Sequence, residues 1–174
     1  SKVASKPNSD INVIVLDRPR NEYIVDELKK LNVNIEMISD GDIAASLRVF
    51  EGDADVYMGI GSAPEGVIAA TAARGLGGRF DGKLHFHNQE AEERAKKMSK
   101  DLFDEVIDVK KLCKTEDAIF VGTGVCDGWI PGVAINGDHA TTSTILVDVM
   151  SSKIVKIENT YSVNAINNYI KEGA

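Results

Sequence analysis

The sequence predicts an α/β fold, a layered mixed sheet in which parallel strands with crossover helices come first and an antiparallel hairpin follows. Three observations predict it. Short β-branched runs alternate with segments of helical spacing in the first half. Two β-rich runs separated only by "MSSK" fill the last third. Aromatics make up 6% of the 174 residues, so the core must rest on Val, Ile, Leu and Ala. Strand–helix alternation favours parallel strands joined by right-handed crossovers, whereas β-rich runs joined by a short turn favour antiparallel pairing.

Residues 1–10 form a polar lead, and 11–174 read as one α/β domain. "INVIVLD" is a strand, and "NEYIVDELKKLN" a helix with Ile24, Leu28 and Leu31 at helical spacing. "NIEMISD" is a second strand. "GDIAASLRVF" is a helix with Ile43, Leu47 and Phe50 on one face, and "ADVYMGIG" is a third strand. The helix opened by "SAPEG" runs through Arg74 and stops at "GLGG", where glycines permit the left-handed conformation that ends helices. "GRFDGKLHFHN" reads as an extended excursion, "QEAEERAKKMSK" as a charged helix facing solvent, and "AIFVGTGV" as a buried strand. "GVAINGDHATTSTILVDVMSSKIVKIENTYSV" supplies the hairpin at the sheet's edge.

Composition narrows the function classes. With 43% hydrophobic and 27% charged residues the chain is globular rather than disordered. A net charge of -7 argues against broad nucleic-acid affinity, which requires lysines and arginines to displace counterions. No apolar run approaches the ~18 residues of a membrane span and the start lacks a secretory core, so a soluble, cytoplasmic protein is expected. Cys113 and Cys126 are too far apart for a CxxC pair and are expected to be reduced thiols.

The most informative stretch is "MGIGSAPEGVIAATAARGLGG". A dinucleotide fingerprint would need a glycine where Pro64 stands, and Glu65 would put negative charge where a pyrophosphate must bind. Ser62 and Glu65 instead form S-x-x-E, the pattern of a capping box. The alternative is a carboxylate at a strand end facing a divalent cation. Two more turns follow the first two strands. "LDRPRNE" offers Arg18 and Arg20 around Pro19, planar forks suited to phosphate, and "ISDGDIA" offers Asp40 and Asp42 around Gly41. Helix capping and solvated turns account for each of these singly. Ligands in open α/β sheets gather at the carboxyl ends of strands, so parallel strands would bring all three turns to one edge. That combination suits a phosphorylated polyol with a cation.

These stretches resemble the class II fructose-1,6-bisphosphatases. The resemblance runs from about Val13 to Glu158 through "LDRPR", "ISDGDIAASL", the APEG stretch, "EERAKKM", "AIFVGTGVCDG" and "ATTSTILV". It implies a fold like that of the inositol-monophosphatase and lithium-sensitive phosphatases. It implies hydrolysis of the 1-phosphate of fructose 1,6-bisphosphate, with sedoheptulose 1,7-bisphosphate as a second substrate in many members, dependence on Mg²⁺ or Mn²⁺, and a place in gluconeogenesis. By position, Arg18, Pro19, Arg20, Asp40, Gly41, Asp42 and Ser62 bind substrate, Ser62 standing where a glycine is frequent, and Glu65 is a metal ligand. Family members are longer, and the half carrying most metal-binding Asp and Glu residues precedes the matching stretches. The resemblance therefore implies a second polypeptide or a missing N-terminal segment, without which the chain is expected to be inactive, and assembly as a homo-oligomer. The alternative is a non-catalytic domain that binds sugar phosphates or assembles with a partner. "HFHN" and "WIPG" depart from the family pattern.

Other candidates are weaker. His85 and His87 share one side of a strand but lack a third ligand nearby, and His139 fits a hairpin turn. Cys126 adjoins no histidine or basic cluster, which disfavours a nucleophile. Thr123, Asp127, Thr141 and Thr142 could approach the ligand edge or satisfy turns locally.

Overall fold

Strand β1 (Asn12–Leu16) is the centre of a three-stranded parallel sheet, flanked by β2 (Asn34–Ile38) and β3 (Val56–Met58) in the order β2-β1-β3. In the computed structural model, residues 6–86, 88–98 and 105–172 are described. Strand alternation sends β1 side chains to opposite faces. Val13 and Val15 pack against Ile24 and Leu28 of helix α1 (Glu22–Lys30), while Ile14 packs with Ala45 of helix α2 (Asp42–Glu51). Registers Val13↔Ile35 and Val13↔Val56 bring the carboxyl ends of all three strands to one edge.

Helix α3 (Ala63–Gly75) lies against α2, and its buried Ala69, Ala70, Ala72 and Ala73 explain the alanine-rich stretch: small side chains let neighbouring elements approach closely. Beyond it come β4 (Asp81–Gly82), α4 (Gln89–Met98), β5 (Ile107–Asp108), which pairs with β4, and the short α5 (Val109–Leu112). A second sheet contains β6 (Ile119–Thr123), β7 (Ala134–Asn136), β8 (His139–Asp148) and β9 (Ile154–Ser162), all antiparallel to β8 in their pairing. Helix α6 (Val163–Glu172) follows β9. One cluster, Leu47, Ala72, Phe120, Ile145 and Val147, joins α2 and α3 to this second sheet.

Three expectations need correction. Parallel and antiparallel strands do not share one mixed sheet: α2 and α3 stand between them, and no hydrogen-bonded ladder joins β8 and its partners to β1–β3 among the described residues. The "AIFVGTGV" strand is only half buried, because Phe120 faces the core while Ile119 and Val121 are 59% and 57% exposed on the other face. Leu31 is 53% exposed, since α1 stops at Lys30 and the chain turns through Asn32 at φ 55°. The β8–β9 hairpin, the α2 face and the end of α3 agree with expectation. Among the described residues no helix is long and apolar enough to cross a membrane.

Candidate active site

The turns at the carboxyl ends of β1, β2 and β3 meet at one rim. After β1, Arg18 is extended and Pro19 opens a single 3₁₀ turn, closed by Asn21 N–H donating to the Arg18 carbonyl at 2.8 Å. The two arginines diverge. Arg20 Nε donates to the Ile60 carbonyl at 2.6 Å, which holds its guanidinium against the Gly59–Gly61 turn after β3. Arg18 Nη1 donates to the Asp17 carbonyl, and its side chain lines a separate cleft of about 220 Å³ with Glu22, Asp26, Lys29 and Met37.

After β2, Asp40 Oδ1 accepts the Gly41 N–H at 2.8 Å. Gly41 adopts φ 88°, a left-handed conformation that side-chain-bearing residues rarely take, and this lets Asp42 begin α2 directly. After β3, Ser62 caps α3 and Glu65 closes a capping box over it. Glu65 Oε2 accepts the Ser62 N–H at 3.0 Å and the Ser62 hydroxyl at 2.7 Å. Asp42 and Glu65 therefore both occupy first turns, where the helix dipole favours negative charge. They converge on Gly61: a Cβ placed there would lie 3.1 Å from Asp42 Oδ2 and 3.5 Å from Glu65 Oε2.

The electrostatics bind the cluster together. Partial burial raises the Asp42 pKa above the ordinary aspartate range, and the charges of Glu65 and Asp40 push it further. Glu65 is lowered, chiefly by the two hydrogen bonds from Ser62, with the Arg20 charge assisting. Tyr57 on β3 is raised by burial and by the Asp42 and Glu65 carboxylates, with Arg20 opposing. Charges thus act across the rim: Asp40 on Asp42 and Glu65, and Arg20 on Glu65 and Tyr57. An ionised Asp42 destabilises the fold, because a carboxyl whose folded pKa is raised loses stability as pH climbs through that pKa and regains it as pH falls. Asp42→Asn is accordingly expected to raise Tm near neutral pH, with the advantage fading once the pH drops below the raised Asp42 pKa. Thermal melts across a pH series check this.

Two residues escaped sequence reading. Asn21, 0% exposed, ties two turns together: its Nδ2 donates to the Leu16 carbonyl and its Oδ1 accepts the Ile60 N–H, both at 2.9 Å. A polar residue after RPR gives no sign of burial in sequence. Tyr57 is marked only as the single aromatic of its strand.

The remaining candidates lie elsewhere or serve local structure. Thr123 pairs with Thr144 at 2.9 Å, Thr141 pairs with Thr160 at 3.2 Å, and Asp127 accepts the Gly132 N–H at 3.1 Å. His139 is exposed at the start of β8, and Thr142 sits within β8 opposite Asn159. Cys113 is buried, Cys126 exposed, and both are free thiols. His85 is exposed, and His87 lies outside the described residues. The "WIPG" loop helps line a cleft of about 280 Å³ with Glu51, Ser143–Ile145 and Lys156–Glu158. That cleft is at the opposite end of ten-residue α2 from Asp42, about 15 Å along the helix.

A cation is best held by hard carboxylate oxygens here. Glu65 fits as part of such a shell, with Asp42 beside it, since the repulsion between the two is what an added positive charge would relieve. Among the described residues no group of three or more Asp, Glu, His or Cys side chains is placed to hold a metal ion.

Residues 1–161 match the family model described as bacterial fructose-1,6-bisphosphatase, glpX-encoded. A D-fructose 1,6-bisphosphatase class 2/sedoheptulose 1,7-bisphosphatase of Prochlorococcus marinus is 32% identical over 95% of this chain and 52% of its own length. A fructose-1,6-bisphosphatase class 2 of Haemophilus influenzae is 33% identical over 91% of this chain and 53% of its own. The chain spans about half the length of the curated relatives it matches. With 161 of its residues matched by one family model, the chain belongs to the glpX-encoded bacterial fructose-1,6-bisphosphatase family.

Proposed function

We propose that this chain supplies the substrate-binding part, and one metal-ligand glutamate, of a metal-dependent phosphatase that hydrolyses the 1-phosphate of fructose 1,6-bisphosphate. Sedoheptulose 1,7-bisphosphate is a second substrate. The observation that carries the reading is the meeting of Asp42 and Glu65 at Gly61, with Arg20 bonded to the neighbouring Ile60 carbonyl and the Asp40 charge felt by both carboxylates, at the carboxyl ends of parallel strands. Arg20 grips a phosphate by charge-assisted hydrogen bonds. Asp40 and Asp42 accept hydroxyl groups of the sugar. Arg18, on the other side of Pro19, reaches a more distant part of the substrate, and the Gly41 backbone allows close approach. Glu65, held in place by Ser62, offers its carboxylate to Mg²⁺ or Mn²⁺. When bound, the cation polarises the phosphoryl group and supports the attacking water and leaving oxygen.

One carboxylate furnishes only part of the oxygen shell of such a cation. The remaining ligands come from the portion of the relatives' length that this chain does not span, in a longer chain or a second polypeptide. The chain alone is inactive. The test is phosphate release from fructose 1,6-bisphosphate with Mn²⁺, by this chain alone and by this chain together with that portion. Release only in the second case supports the proposal. Sugar-phosphate binding without release in either case identifies a non-catalytic binding domain instead, which the incomplete ligand set would also suit. In the active assembly, Arg20→Ala is expected to raise KM roughly tenfold or more with a smaller change in kcat, as befits a charged hydrogen bond to a non-reacting group.

A further inference from the structure

Tyr57 stands at the rim, and the reaction proposed above gives it no part. Its ring packs against the cluster of Ile14, Ala45 and Ala54, on the α2 side of the parallel sheet. The phenol end reaches the glycine turn that follows β3: a Cβ placed on Gly59 would lie 3.2 Å from its hydroxyl. Two residues on, a Cβ on Gly61 would meet the carboxylates of Asp42 and Glu65. Glycine at both positions leaves the phenol at one end of the turn, and the carboxylates at the other, open to a ligand that approaches closely.

The hydroxyl has no task inside the fold. Among the described residues it makes no hydrogen bond. Asn21, which also lies beside Gly59, is engaged with the Leu16 carbonyl and the Ile60 N–H. No side-chain oxygen or nitrogen among the described residues is both buried and unpartnered, so the Tyr57 oxygen reaches open space. A half-buried tyrosine ordinarily finds a partner for its O–H, and here a ligand can be that partner. Burial and the Asp42 and Glu65 charges raise its pKa against the opposing Arg20, which keeps the group a neutral phenol able to donate. Of the charges around it, Asp42 acts on it most strongly.

A sugar hydroxyl is donor and acceptor at once, and reading it fully takes one group of each kind. Asp42 is the acceptor and Tyr57 the donor. Resting on the sugar-phosphate reading above, we propose that Tyr57 is a specificity-determining residue of the rim, its phenol donating to the oxygen of the same sugar hydroxyl whose O–H Asp42 accepts. The pair discriminates against a deoxy analogue, which would leave both groups desolvated and unpaired.

Titration of the ¹⁵N-labelled chain with fructose 1,6-bisphosphate, read by nuclear magnetic resonance, tests this alongside thermal melts. Tyr57→Phe is expected to raise Kd roughly fivefold, the worth of one neutral hydrogen bond. Its Tm should equal or exceed that of the parent, because the hydroxyl has no partner in the fold. Asp42→Asn also raises Kd, and in the double variant the two losses multiply to less than their product, since both groups serve one hydroxyl. Arg20→Ala is the control for phosphate binding and weakens the complex independently. Equal affinity in parent and Tyr57→Phe overturns the inference, and leaves the sugar-phosphate reading standing where Arg20→Ala is still weakened. A parent chain that does not bind overturns both. A Tyr57→Phe loss accompanied by a lower Tm would make the hydroxyl a prop of the turn, and fully multiplicative losses would place it on another part of the ligand; either result overturns the proposal.

Discussion

Glu65→Gln is expected to lower metal-dependent phosphate release in the assembled phosphatase by roughly a hundredfold or more, while Tm stays close to the parent value. The substitution separates two roles that one side chain performs. Glutamine at this helix position keeps an oxygen that can accept from the Ser62 N–H and hydroxyl, so the capping box survives. What it removes is the negative charge beside Asp42, and with it a ligand for a divalent cation. A cap role alone would make Glu65→Gln nearly silent and Glu65→Ala costly by only about 1 kcal/mol. Phosphate release and thermal melts on both variants decide the matter: loss of turnover in the two, with a small Tm change in the alanine variant alone, supports the ligand role. Full turnover in Glu65→Gln would leave Glu65 as a cap.

Asn21→Ala is expected to cause the largest loss of stability at the rim, about 2–4 kcal/mol. The side chain is 0% exposed and spans two backbone groups of different turns, the Leu16 carbonyl and the Ile60 N–H. Truncation leaves both without that partner and opens a gap between β1 and the turn after β3. Urea titration with an unchanged m-value would report the loss as a lower midpoint. Because Arg20 also binds the Ile60 carbonyl, the loosened turn should weaken substrate binding as well. A midpoint equal to that of the parent would show that water replaces Asn21 at little cost and that the turns are held together by other contacts.

Much of the fold was legible because its signals are local. The periodicities of "INVIVLD" and "DIAASLRVF" fix a strand and a helix face, and the S-x-x-E pattern predicts the α3 cap that the Ser62–Glu65 hydrogen bonds form. The three turns could be placed on one edge as soon as their strands were read as parallel. The partition of strands into separate sheets was not legible, because whether β6 pairs with the parallel sheet depends on where α3 passes, a long-range matter. Burial of β6 was misread for a related reason: its run of apolar residues looks the same whether one face or both are covered. At the rim, the divergence of Arg18 and Arg20 depends on the turn geometry around Pro19, and the roles of Asn21 and Tyr57 arise from packing across turns distant in sequence.

The central claim is that Arg20, Asp40, Asp42 and Glu65 form one ligand rim. Its most direct test is nuclear magnetic resonance of the ¹⁵N-labelled chain titrated with fructose 1,6-bisphosphate and then with trace Mn²⁺. The account predicts shift changes confined to Arg18–Asn21, Asp40–Asp42 and Gly59–Glu65, followed by paramagnetic broadening centred on Asp42 and Glu65. Shifts gathered instead around Trp129 and Lys156, or broadening that spreads over surface carboxylates with Asp42 and Glu65 spared, would contradict it.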